Sequence, residues 1–197
     1  MKRSSLFVIG AAALALSGCA SYNQAPVDAT RYHLDGPIAR TTFTVEPLRT
    51  NDTISPEYQA FADAVQAQLV ALDFVPTKDV ASSGYIVGMS LTRAPMGVIE
   101  KQSPFRIGLG GGSFGGNVGV GGGASVGIGG GPRQVIGTEL AVQLRRRSDD
   151  TVVWEGRAVT QSVVGEKDNA TSDLAQRLAA ALFKGFPGES GITITVK

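Results

Sequence analysis

Few residues in this chain are of the kinds that do chemistry. Cys19 is the only cysteine and His33 the only histidine among 197 residues. A lone cysteine forms no intramolecular disulfide and no thiolate cluster. A lone histidine offers no zinc pair and no imidazole-centred dyad. His33 lies in a polar stretch and reads as a solvated side chain. Asp149 and Asp150 are adjacent carboxylates, the pairing that general acid–base work needs. Ser148-Asp149-Asp150 is also a turn sequence, in which aspartate is favoured because its side chain bonds the nearby backbone, and the turn is the preferred reading. Gly110-x-Gly112-x-x-Gly115 matches a dinucleotide fingerprint as a string. That fingerprint holds phosphate only between a strand and a helix N-terminus, and here more glycine and valine follow, so the nucleotide reading is rejected. Arg145-Arg146-Arg147 is the sharpest charge cluster, suited to phosphate groups or an acidic partner. Alternate side chains of a strand face opposite ways, and Asp149 and Asp150 neutralise much of the field. A solvated strand end is therefore the preferred reading. No residue set proposes a reaction, so the expectation is a non-enzyme without cofactor or metal.

Cys19 gains meaning from what precedes it. Lys2 and Arg3 give a positive start, and Leu6 to Leu16 (LFVIGAAALAL) form an apolar run of eleven residues. A helix across a bilayer needs roughly 20, so this is the pattern of a cleaved secretory leader over residues 1–18. The tetrad Leu16-Ser17-Gly18-Cys19 resembles the lipobox of bacterial lipoproteins. The resemblance implies a diacylglycerol thioether on Cys19 and a further acyl chain on its freed amine. It also implies dependence on the lipoprotein processing and sorting machinery. Two or three chains, at ~0.8 kcal/mol per buried methylene, hold a protein on a membrane durably. Ala20 in place of aspartate implies sorting to the outer membrane, on the periplasmic face.

Without its leader the chain carries 16 Lys and Arg against 17 Asp and Glu, a formal charge of −1. Nucleic-acid binders show a clear basic excess, so no nucleic-acid partner is expected. The remaining length suits one domain. Residues 19–37 read as the lipidated cysteine followed by a flexible tether, and 38–197 as a single domain. Within it, Thr41 to Val45 alternates as a strand. Ser55-Pro56-Glu57 starts a helix with a hydroxyl cap, a proline and a first-turn acid. Tyr58, Phe61, Val65, Leu69 and Leu72 then line one face, and the helix ends near Asp73. Tyr85 to Thr92 is a second strand; residues 94–107 hold two prolines and mixed polarity before the glycine tract begins. Ile136 to Arg145 and Val152 to Ala158 read as a long antiparallel hairpin, with Trp154 over the sheet. Asp173 to Lys184 is a second amphipathic helix, capped by Thr171 or Ser172 and ended by Gly185 and Pro187. Ile192 to Lys197 reads as a short closing strand. The expected fold is α+β: a mostly antiparallel sheet of about four or five strands with both helices on one face.

Of the 26 glycines, 14 fall between Gly108 and Gly131. Gly111, Gly115, Gly119, Gly123, Gly127 and Gly131 recur every four residues, a spacing that lets membrane helices pack closely. A helix is opposed by ~1 kcal/mol for each glycine against alanine. Val118-Gly-Val120 and Val126-Gly-Ile128 alternate, as a fluctuating hairpin or a strand added to a partner would. A flexible loop costs least, because closure entropy grows slowly with length. The flexible loop is the preferred reading, followed by a partner-ordered strand and then a membrane-associating segment. For a partner, the apolar side chains to contact it are Leu109, Phe114, Val118, Val120, Val126 and Ile128.

Several of these features recur together in one family. The Thr42-Phe43 strand, the Leu69 to Phe74 helix end, Val153-Trp154-Glu155-Gly156 and the closing Phe186-Pro187 resemble, in order and spacing, domain-of-unknown-function family 4136. The likeness runs over roughly residues 30–188 and implies a bacterial envelope lipoprotein, with no activity attached. The leading expectation is a membrane-anchored binding or assembly module of the cell envelope. The alternative is a carrier of an apolar or lipid ligand held between sheet and helices.

Overall fold

The computed structural model describes residues 25–50, 52–100, 105–108, 125–128, 132–165 and 170–197. Nine strands and two helices are found among these residues. They are β1 (Val27–His33), β2 (Thr42–Pro47), α1 (Pro56–Ala71), β3 (Val75–Pro76), β4 (Tyr85–Glu100) and β5 (Phe105–Gly108), followed by β6 (Ser125–Ile128), β7 (Pro132–Arg146), β8 (Val152–Val163), α2 (Thr171–Phe183) and β9 (Thr193–Val196). Seven strands form one sheet in the order β3-β2-β4-β7-β8-β1-β9, and β5 pairs with β6 separately.

This sheet corrects the expected one in size and in sense. It has seven strands rather than four or five, and it is mixed: β2 runs parallel to both β3 and β4. The parallel pair follows from the chain itself. Two neighbouring strands joined by a long helix, here α1, need a crossover that brings them parallel, whereas a tight turn makes them antiparallel. β1 occupies part of the stretch expected as tether. Its inward positions are Val27, Ala29 and Arg31, all buried, so its core face holds a small residue and an arginine instead of an apolar row. β4 continues to Glu100, past the expected strand end at Thr92. A bulge between Pro95 and Gly97 absorbs the proline while pairing with β7 runs on to Glu100↔Pro132.

The remaining elements follow their local signals. Ser55 caps α1, its Oγ accepting the Tyr58 N–H at 3.1 Å, a contribution of ~1 kcal/mol. The β7–β8 hairpin forms, with Asp150 at φ +59 in its turn. The expected hydroxyl cap on α2 is absent: its N-cap is Ala170, with no side-chain bond. Gly185, at φ +68, turns the chain after α2 in a conformation that suits glycine.

Both helices pack on one face of the sheet. Tyr58, Phe61, Val65 and Leu69 of α1 and Leu174, Leu178 and Leu182 of α2 meet Phe43, Val87, Met89, Leu140, Val142, Leu144 and Trp154 in a continuous core. Trp154 lies at its centre, stacked on Phe183 at 5.2 Å and 15° and tilted against Phe186 at 5.2 Å. Gly156, beside it, leaves room for Leu182 and for the Trp154 ring itself, either of which an added Cβ would meet at 2.7 Å. Phe74 joins this group edge-on to Phe43, Tyr85 and Phe186. Arg40 covers it from outside, 4.6 Å above the Phe74 ring and 4.9 Å above Phe186.

Candidate functional site

The residues singled out for chemistry are mostly held in structural roles. His33 is not a tether side chain. It ends β1, where its ring nitrogens lie 3.1 Å from the carbonyls of Leu34 and Gly188, and its backbone N–H donates to Ser190 Oγ. Each arginine of the triplet meets a different carboxylate: Arg145 meets Asp150 at 3.3 Å, Arg146 meets Asp149 at 2.7 Å and Arg147 meets Glu46 at 2.9 Å. Arg147 also donates to Ser83 and Thr44, tying the β7–β8 turn to β2. Asp149 is occupied by the Thr151 backbone N–H, which, with Arg146, holds its carboxyl below the usual range. That placement makes it a turn residue. Tyr58 is pushed up to about 12 by burial, then by Asp52 and Glu46, so its hydroxyl stays protonated near neutrality. No group of three metal-binding side chains occurs among the described residues.

One residue that sequence reasoning passed over is Arg31. Its side chain enters the core from β1 at 2 % exposure. Nη1 donates to the Lys184 carbonyl at 2.5 Å, and the guanidinium lies against the Gly188 backbone, where an added Cβ would meet it at 3.0 Å. Burial lowers its pKa. α2 has no basic residue in its last turn, so Arg31 brings the cation that the negative helix end favours. With His33 on Gly188, Trp154 Nε1 donating to Pro187 O at 2.9 Å and the Gly191 N–H donating to Arg31 O, it clamps the loop after α2. A buried charged residue inside a weak alternation was the signal available, and it hid the strand.

The element left with unused capacity is the β4–β7 ribbon. β2 accompanies β4 only as far as Pro47↔Met89. From there to Glu100 the β4 edge away from β7 carries no strand among the described residues. Met96 and Val98 on this stretch are 60 % and 63 % exposed. An unpaired edge presents main-chain donors and acceptors to any extended segment, and Pro95 with its bulge limits uncontrolled pairing. β5 and β6 are nested inside the same hairpin, with Phe105 opposite Ile128 and Gly108 opposite Ser125. Of the six expected contact residues, Val126 and Ile128 therefore lie on β6. Leu109, Phe114, Val118 and Val120 lie outside the described residues, as do Cys19 and the Gly110–Gly115 fingerprint.

Clefts lie elsewhere on the surface among the described residues. The one on the sheet face opposite the helices, about 530 Å³, is bordered by Tyr32, Arg49, Gln143, Glu155 and Arg157. Its charges are already engaged in part, Glu155 accepting from Gln143 and Arg157 facing Glu139 at 3.4 Å. Another, about 540 Å³, follows the groove between α1 and α2 and is lined mainly by alanines. Between sheet and helices, Trp154, Phe183, Phe186 and Phe74 pack against one another.

A family model for a domain of unknown function, DUF4136, matches residues 29–188. The chain belongs to the DUF4136 family. The matched span begins inside β1 and ends at Gly188, so Arg31, His33, Trp154, Lys184 and Pro187 of the clamp fall within the family domain and Gly191 lies beyond it. The DUF4136 chain is also similar to the uncharacterized protein ZMO1243 of Zymomonas mobilis, at 49 % identity over 61 residues, which cover 30 % of this chain and 23 % of that protein. The chain thus spans under a quarter of the length of that relative. Among solved structures, a PDZ domain protein from Parabacteroides distasonis aligns with TM-score 0.47 and 8 % identity, over 87 % of this chain and 39 % of that one. A PelC dodecamer from Paraburkholderia phytofirmans aligns with TM-score 0.39 and 15 % identity, over 82 % of this chain and 99 % of that one. At those values neither structure informs the site. No helix among the described residues is long and apolar enough to cross a membrane.

Proposed function

We propose that this DUF4136 chain is a non-enzymatic lipoprotein of the bacterial envelope, anchored through acylated Cys19, that captures or assembles another envelope protein with its β4–β7 ribbon. The observation that carries this reading is the β4 edge from Thr92 to Glu100, which pairs with no strand among the described residues and is continued in the chain by the glycine-rich segment. The Leu16-Ser17-Gly18-Cys19 tetrad supports the anchor. Among the described residues, His33, Asp149, Asp150, Arg145, Arg146 and Arg147 are held in backbone contacts, turns and ion pairs, which favours binding over catalysis. An edge strand takes its affinity from main-chain hydrogen bonds and its specificity from alternate side chains, so a partner would offer an extended segment.

Cross-linking in intact cells, followed by pull-down and mass spectrometry, tests this. The wild type is compared with a deletion of 108–131 and with serine at Leu109, Phe114, Val118, Val120, Val126 and Ile128. The expected result is one envelope protein captured by the wild type and lost from both variants, with the thermal melt of the serine variant nearly unchanged. The same captured proteins in all three would remove the ribbon and its extension as the binding element.

A further inference from the structure

The start of β1 and the ribbon lie at the same end of the sheet. Asp28 of β1 stands opposite Val159 of β8, Val159 opposite Glu139 of β7, and Glu139 opposite Thr92 of β4, so these four residues form one row across the sheet. From that row β4 runs forward to Glu100. β1, two antiparallel steps further along than β7, runs backward toward its N-terminus in that same direction. The start of β1 is pinned there as well. Thr160 Oγ1 donates to Pro26 O at 2.8 Å, and Arg177 Nη2 donates to Ala25 O. The turn holding Arg145 to Asp150 lies at the opposite end of the β7–β8 hairpin.

The lengths decide what this implies. Nine residues separate Cys19 from Asp28, a reach of at most roughly 30 Å for extended chain. Eight residues carry β4 from Thr92 to Glu100, and because the bulge takes up one of them the rise is roughly 22–24 Å. The ribbon is therefore about three-quarters as long as the lead that ties the domain to its lipid. Among the described residues, apolar side chains exposed along that end include Met96 at 60 %, Val98 at 63 % and Val164 at 50 %, the last beside the ribbon through its N–H to Gln134 O.

The geometry points to a membrane-facing end: we infer that Met96, Val98 and Val164 rest on the lipid surface in which Cys19 is anchored, with the Arg145–Asp150 turn pointing away. This rests on the anchored reading above and adds where the binding element works. A partner of the β4 edge would then be met at the bilayer surface.

Acylation consumes the thiol of Cys19, so a cysteine introduced elsewhere is the only free one and takes a single environment-sensitive fluorophore. Val98→Cys and Ser148→Cys are made in the full chain, purified from the membrane fraction, labelled and placed in vesicles of phosphatidylethanolamine and phosphatidylglycerol. Intact mass records whether Cys19 carries lipid, and thermal melts confirm that both variants fold as the wild type does. The expected result is a blue-shifted Val98 label that loses most of its emission to nitroxide-bearing lipids, beside a Ser148 label in water. Acylated protein whose Val98 label is as wet as its Ser148 label would overturn the orientation and leave the anchor standing. An unmodified Cys19 in membrane-extracted protein would instead remove the anchor, and the orientation with it.

Discussion

Replacing Trp154 with alanine is expected to cost about 3–5 kcal/mol, the range for truncating a large buried aromatic. At 2–4 °C for each kcal/mol in a domain of this size, the melt should fall by roughly 10 °C. The ring is fully buried and stacks on Phe183, while Phe186 closes its other side. Its removal leaves a cavity at the junction of β8 with α2 and deprives the Pro187 carbonyl of the indole N–H. Gly156 would not refill the space, since its role is to let Leu182 and the indole approach the β8 backbone. Trp154→Phe separates the two contributions: most of the packing returns, and the bond to Pro187 does not. A differential scanning melt checks both variants. An unshifted melt for the alanine variant would mean that the region repacks and that the ring is no keystone.

The second large effect is expected at Arg31. Changing it to alanine should destabilise the domain by about 2–3 kcal/mol, the scale of a hydrogen bond from a charged donor in a buried place. The Lys184 carbonyl loses its donor, and the Gly188 backbone loses the guanidinium lying against it. Arg31→Met keeps the length of the stem and removes the desolvated charge, whose Nε is already buried without a partner among the described residues. The methionine variant should therefore lose less than the alanine variant, because its stem still fills the buried space that alanine leaves as a cavity, while the Lys184 carbonyl is unpaired in both. Chemical denaturation of the three proteins measures the order. A methionine variant and an alanine variant both as stable as the wild type would show that the guanidinium does not hold the loop after α2.

How much of this was legible depended on whether an element states itself locally. α1 did, because Ser55, Pro56 and Glu57 mark its start and Tyr58, Phe61, Val65 and Leu69 recur at helical spacing. The β7–β8 hairpin did as well, through two alternating runs about a turn rich in Ser and Asp. β1 did not. Only Val27 and Ala29 are apolar on its inner face, and the third inner position is Arg31, whose charge is satisfied by a loop more than a hundred and fifty residues away. β3 is two residues long and includes Pro76, which leaves no period to read. The far half of β4 was hidden because the bulge at Pro95 and Gly97 shifts the alternation by one residue. The parallel sense of β2 and β4 was available from the helix between them and went unused. The site shows the same division. Cys19 and the glycine segment are conspicuous as composition, whereas the free edge of β4 exists only once β2 is seen to stop at Pro47.

The account stands on the lipid at Cys19, since the partner capture and the orientation of the ribbon both assume a domain held at a membrane. Intact mass spectrometry of the chain extracted from the membrane fraction, beside a Cys19→Ser variant, tests it most directly. The predicted result is a chain beginning at Cys19 with two or three acyl groups, and release of the serine variant from the membrane fraction. A wild-type chain carrying no lipid, distributed between fractions as the serine variant is, would contradict it.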